Sequence, residues 1–182
     1  GASIKLIKKL VKEKFPKLII MVDCGSNSNN SVEFLKNNKI DSIIIDHHNI
    51  SKPYPKANIV INPKKECDYR HYDYYCSAFL TYLFLDFYNR KNNSKITIAD
   101  QLIYVALATL ADVMPLRENN RFLLKKIIKR FDINKNLFFK MIFKLNNLNK
   151  KLDFDDLSYI IAPTINSAGR ISNANNVIKL LT

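Results

Sequence analysis

A chain of 182 residues, 47% of them hydrophobic, has room for one domain, or one domain and part of a second, built on a real core. It contains no run of about 18 uncharged apolar residues and no basic-then-apolar leader, so neither a transmembrane helix nor a signal peptide is readable, and the expected location is the cytoplasm. The net charge of +13 suits a polyanionic partner such as nucleic acid, although lysine outnumbers arginine 23 to 6 and compositional bias alone would give such an excess.

In chain order, Ile4, Ile7 and Val11, with lysines between them, predict a short amphipathic helix that stops before Pro16. Leu18 to Val22 is a continuous apolar run, read as a strand, and it ends at Asp23-Cys24-Gly25. Ser26 or Ser28 is placed to cap a helix that reaches Asn37. A second strand, Ser42 to Ile45, ends at Asp46, which completes a right-handed βαβ unit with parallel, doubly covered strands. A third strand, Asn58 to Ile61, stops at Asn62-Pro63 and leads into a polar, Tyr-rich loop that ends near Tyr75.

The remainder reads as helical. Cys76 to Tyr88 and Leu102 to Leu110 are apolar almost all round, as central buried helices are. Arg121 to Phe131 and Leu137 to Leu145 are amphipathic and basic, and residues 121–151 hold ten Lys or Arg side chains against the single acid Asp132, which suggests a basic face. Asp153 to Ile161 predicts a further short helix that ends at Pro163. The fold class is therefore α/β: a parallel sheet of βαβ units flanked by helices, followed by a helical extension. Cys24, Cys67 and Cys76 show no CxxC spacing, which argues against a disulfide framework or a zinc ribbon.

Two acids, Asp23 and Asp46, thus end neighbouring parallel strands on the carboxyl edge, where open α/β sheets bind ligands. Two of the three histidines follow at once in IDHH, residues 45–48. Adjacent side chains on extended backbone point to opposite sides, so His47 and His48 are not expected to share an ion. One reaches a cation held by Asp23, and the other faces a substrate or a supporting acid such as Asp46. A solvated polar loop is the plain alternative.

Glycine supplies an independent pointer, because beyond Gly1 the chain has only Gly25 and Gly169. Gly25 sits where a βα turn needs a positive φ or a close approach of backbone to a ligand. Gly169 precedes Arg170 in APTINSAGRIS, read as a small-residue loop whose isolated arginine suits bidentate phosphate contact or, equally, a helix C-cap with a surface charge. Asp112 emerges where an apolar helix runs into Asp-Val-Met-Pro, and needs a metal or a partner such as Arg117 or Arg121.

Four segments in fixed order, VDCG, IDHH, ATLADVMPL with ENNR, and APTINSAGR, resemble the RecJ branch of the DHH phosphoesterases, the 5′ to 3′ single-strand-specific exonucleases of DNA repair and recombination. The resemblance spans residues 1–182 and corresponds to the central part of the family's catalytic core. It implies that Asp23 bridges two divalent ions, manganese or magnesium, and that His47 and Asp112 ligate one of them. Asp46 is then a supporting acid, His48 faces the scissile phosphate, and Asn166, Gly169 and Arg170 lie in the segment that contacts the nucleic-acid backbone. The implied partner is single-stranded DNA, with no membrane association, and the implied state a monomer.

The implied organisation is a partial DHH phosphoesterase domain over residues 1–116 and a helical connecting region over 117–182 that carries INSAGR. The family's first, Asp-rich motif is not in the sequence, and the start at Gly1 without an initiator methionine leads to the expectation of a fragment that is inactive alone. Ala108 stands where the family has glycine, Thr164 where an arginine is common, and YCSAFL lacks a usual glycine. Hydrolysis of oligoribonucleotides or cyclic dinucleotides within the same superfamily is the neighbouring reading. A non-catalytic nucleic-acid-binding relative is the reading from another class.

Overall fold

The computed structural model describes residues 2–66, 72–171, 178, 179 and 181. Cys67 and His71, in the Tyr-rich loop, lie outside the described residues, as do the side chains of Gly169 and Arg170. The chain divides into two compact units, Gly1–Ile98 and Ala99–Thr182.

The first unit opens with α1 (Ile4–Lys14), whose N-terminus is capped by Ser3: its hydroxyl accepts from the amide of Leu6 at 3.4 Å. The helix stops at Phe15, which takes a left-handed conformation just before Pro16. Strands β1 (Leu18–Val22), β2 (Asp41–Ile45) and β3 (Ile59–Ile61) form a parallel sheet in the order β1-β2-β3, with α2 (Asn29–Asn37) as the first crossover. The β1 and β2 partners run from Leu18 with Asp41 to Val22 with Ile45, and Ile45 pairs in turn with Ile61.

Period-2 alternation sorts the β1 side chains. Met21, with Ile44 of β2, packs against Ile7, Val32 and Leu35 from α1 and α2 in one continuous core. The opposite face of β1 is not covered as expected of a doubly flanked strand: Leu18, Ile20 and Val22 are 44%, 49% and 44% exposed. Helix α3 (Ser77–Lys91) also departs from the expectation of a central buried helix. Its first turn buries Ser77, Phe79 and Leu80, whereas Leu83, Leu85, Phe87 and Tyr88 further along are exposed.

The second unit contains α4 (Leu102–Ala111), α5 (Glu118–Arg130), α6 (Leu137–Leu145) and α7 (Ala162–Ile171). Ile103, Ala106 and Leu107 of α4 meet Leu124 and Ile127 of α5, and Phe138, Phe139, Ile142 and Phe143 of α6, in a second core. The compact units divide between Ile98 and Ala99, so α4, whose motif reads as continuous with the sheet segments, packs in this second core. Lys125, Lys126, Lys129 and Arg130 line the exposed side of α5, as the amphipathic pattern predicts.

Helical structure does not end at Pro163. Asp153 and Asp156 cap each other reciprocally, each carboxylate accepting from the other's amide at 3.0 Å. A π-helical stretch, Asp156–Ile161, then continues directly into α7. The wider π turn accommodates a proline ring that would clash in a regular α-helix.

Candidate metal centre at the strand ends

Register brings three polar residues to one level. Each strand ends on an aliphatic residue of the same rung, Val22, Ile45 and Ile61, and the next residues are Asp23, Asp46 and Asn62. Ladder bonds continue one step further: the Asp23 amide donates to Ile45 O at 3.0 Å and the Asp46 amide to Ile61 O at 2.9 Å. Beyond that point β1 turns sharply, with Asp23 at φ 60° and Gly25 at φ +112°. A Cβ on Gly25 would lie 3.2 Å from both Cγ1 and Cγ2 of Ile44, so the close approach that requires glycine is to the core, not to a ligand.

Asp46 is 1% exposed and fully hydrogen-bonded. Oδ2 accepts from the amide of Ser26 at 3.1 Å. Oδ1 accepts from the amides of His47 and His48 at 2.8 and 3.2 Å, and from Nδ1 of His48 at 2.7 Å. Burial alone would raise the carboxyl's pKa, but the hydrogen bonds from Ser26 and His48 outweigh it and hold Asp46 at about 2. Ionised, Asp46 can only accept, so His48 Nδ1 carries the proton and the ring's further chemistry passes to Nε2.

The two histidines do not point to opposite sides, a correction to the alternation expected of extended chain. Strand geometry ends at Ile45, the Asp46 carboxylate draws both following amides toward itself, and the two rings meet edge to face with centroids 4.7 Å apart. His47 Nε2 lies 3.4 Å from Asp23 Oδ1. Its Nδ1 is buried, and no hydrogen-bond partner reaches it among the described residues. Asp23 is more than half exposed, and its carboxylate opens outward.

Asp23, His47 and His48 each offer one donor atom, all within 4.8 Å of one another. Bonds of roughly 2.1 Å place two donors of one ion at most roughly 4.2 Å apart, so small side-chain adjustments gather this set. One carboxylate with imidazole nitrogens is a mixed oxygen and nitrogen donor set, and the residues present therefore fit a first-row divalent ion. Cys24 beside them is a poor thiolate donor, since burial pushes its thiol pKa up and the carboxylates of Asp46 and Asp23 add to the effect.

The remaining candidates belong to the second unit. Asp112 is exposed and forms the C-cap of α4, its amide donating to Ala108 O at 2.9 Å. It is not the buried carboxylate that the apolar helix before it suggested. Asn166 is exposed on α7, and Gly169 and Arg170 fall within the same helix, so INSAGR is helical and not a loop. Asn62 is the residue that the sequence analysis passed over. It is buried, and it binds the loops that follow all three strands. The signal was present in its register, one residue after the strand end, as for Asp23 and Asp46.

The sequence pattern of the DHH family, N-terminal domain, matches residues 3–113. The chain belongs to that family. Within it, the chain is 30% identical over 191 residues to the single-stranded-DNA-specific exonuclease RecJ of Haemophilus influenzae, covering 100% of this chain and 33% of that protein. It is likewise 30% identical over 177 residues to RecJ of Escherichia coli, covering 91% of this chain and 31% of that one. The crystal structure of RecJ in complex with Mn2+ from Thermus thermophilus shares the fold, with a TM-score of 0.81 at 23% identity over 98% of this chain and 26% of that chain. An exonuclease RecJ bound to manganese gives a TM-score of 0.74 at 22% identity, over 97% of this chain and 44% of that one. The chain spans about a third of the length of the curated relatives it matches. Among the described residues, no helix is long and apolar enough to cross a membrane.

Proposed function

We propose that the chain forms part of the catalytic core of a metal-dependent exonuclease that degrades single-stranded DNA from its 5′ end to mononucleotides, as a monomer in the cytoplasm, in DNA repair and recombination. The observation that carries this reading is the cluster of Asp23, His47 and His48 at the carboxyl ends of adjacent parallel strands, in a chain whose relatives are named for that activity. Asp23 and His47 would hold a divalent ion, manganese or magnesium, and the resemblance to the family adds Asp112 as a further ligand. Asp23 would also serve as a ligand to a second ion. When bound, such a pair supplies an activated water and neutralises phosphate charge.

The side chains then divide the work. Asp46, both oxygens engaged by N–H donors, fixes the backbone of His47 and His48 and anchors the His48 ring through Nδ1. His48, with that ring exposed, faces the scissile phosphate through Nε2. Asn166, Gly169 and Arg170 contact the nucleic-acid backbone, and the basic face of α5 extends that electrostatic track.

The test uses the full-length protein on 5′-labelled single-stranded DNA, duplex DNA and short oligoribonucleotides, with Mn2+ or with chelator. Mononucleotide release from the single strand alone, abolished by chelator and by Asp23→Asn, is the expected result. Digestion that survives Asp23→Asn, or that favours the oligoribonucleotides, overturns the proposal.

A further inference from the structure

Asn62 is 6% exposed, and the two polar atoms of its side chain bind three different loops. Nδ2 donates to Ser26 Oγ at 2.7 Å, in the loop after β1, and to the carbonyl of His48 at 2.9 Å, in the loop after β2. Oδ1 accepts from the amide of Lys64 at 2.8 Å, in its own loop after β3. Ser26 in turn donates its amide to Asp46 Oδ2, so the network closes on the carboxylate that holds both histidine amides. A short planar group with two hydrogens on one atom and an acceptor on the other is needed here, and among the side chains only asparagine offers it at this length.

We infer that Asn62 is a positioning residue for the metal centre: it holds the His48 carbonyl while Asp46 holds the His47 and His48 amides, and so sets the backbone from which His47 faces Asp23. Asp46 alone restrains the amide side of this dipeptide. Without a clamp on the carbonyl side the peptide can rotate about the Asp46 contacts, which carries His47 Nε2 away from Asp23 Oδ1. Buried polar groups that are satisfied to this degree are rigid, and the partners of metal ligands typically govern affinity by ~10- to 100-fold.

The inference rests on the proposed metal role of Asp23 and His47, and the experiment separates the two. In the full-length protein, Mn2+ affinity is measured from the electron paramagnetic resonance signal of free Mn2+, and the apo thermal midpoint is recorded alongside. The wild type is compared with Asn62→Asp, Ser26→Ala and Asp23→Asn. Asn62→Asp keeps the shape and the acceptor for Lys64, but sets a carboxylate oxygen against the His48 carbonyl.

The expected result is a loss of Mn2+ affinity of ~10-fold or more in Asn62→Asp, with a lowered apo midpoint but a folded protein at the assay temperature, and a smaller loss in Ser26→Ala, which spares the His48 bond. Wild-type affinity in Asn62→Asp, when Asp23→Asn has lost binding, overturns the inference and leaves the metal role standing. Undiminished binding in Asp23→Asn overturns the metal role itself, and the inference with it. Should Asn62→Asp not fold, hydrogen exchange at the Asn62 side-chain amide of 15N-asparagine-labelled wild type decides: strong protection supports the clamp, and exchange at the rate of a solvated amide overturns it.

Discussion

Replacing Asp46 with asparagine isolates what one buried carboxylate contributes to this site. Its pKa stands at about 2 against the ordinary 3.8, so the folded state favours the charged form. At ~1.36 kcal/mol per pH unit the difference amounts to about 2 kcal/mol of native stability at neutral pH. Because the folded value lies below the unfolded one, this contribution is complete above the ordinary carboxylate range and drains away as the pH falls through about 2, with roughly half of it gone by pH 3. Asparagine removes the charge and also confronts one N–H donor with its own amide: with its oxygen toward the histidine donors, its NH2 meets the amide of Ser26. That clash adds about 1 kcal/mol or more, independent of pH. Urea unfolding of wild type and Asp46→Asn at pH 7, 5 and 3 should show a gap of about 3 kcal/mol or more at pH 7 that narrows by about 1 kcal/mol at pH 3. A gap below about 0.5 kcal/mol at pH 7, or one unchanged at pH 3, would refute the reasoning.

Gly25→Ala should cost ~1–3 kcal/mol in the same unfolding measurement, since alanine resists φ +112° and its Cβ meets Ile44 at 3.2 Å. A neutral result would mean that the turn relaxes freely. Changing Lys125, Lys126, Lys129 and Arg130 of α5 together to glutamine should flatten the salt dependence of single-strand binding by about 0.7 in log–log slope for each phosphate that is no longer neutralised, and an unchanged slope would remove that face from the nucleic-acid track.

The sheet was legible because each strand is a short apolar run closed by a polar residue, and because the spacing between runs leaves room only for parallel crossovers. Helix α3 misled because its composition describes a buried helix, while the burial of Leu83, Leu85 and Phe87 depends on neighbours that local sequence cannot name. The segment after Ile161 misled for a different reason. Proline, glycine and small polar residues compete with helix in isolation, yet here the π turn admits Pro163, and the hydroxyls of Thr164 and Ser167 turn back onto carbonyls four residues earlier, at 2.6 Å each. In the site, Asp23 and Asp46 could be read from their strand-end positions, but the mutual placement of His47 and His48 could not. It follows from backbone that leaves strand geometry at Ile45, under the control of a carboxylate one residue away.

Solvation separates the roles within the row of strand-end residues more sharply than residue type does. Asp23 and Asp46 are chemically identical and stand on the same rung at the ends of adjacent strands, yet the side chain of Asp23 is 55% exposed and that of Asp46 is 2% exposed. Four N–H donors occupy the oxygens of Asp46, so an ion could bind there only by stripping hydrogen bonds from a buried anion, at a cost of about 1.5–3 kcal/mol for each charge-assisted bond. Asp23 faces no such cost, and its Oδ1 already stands beside His47 Nε2. Asn62, the third in the row, cannot supply a charge at all and is as buried as a support needs to be. The same rung therefore places one group that can take an ion beside two that hold the loops around it, and the proposed division between ligand and support follows from which of the three meets water.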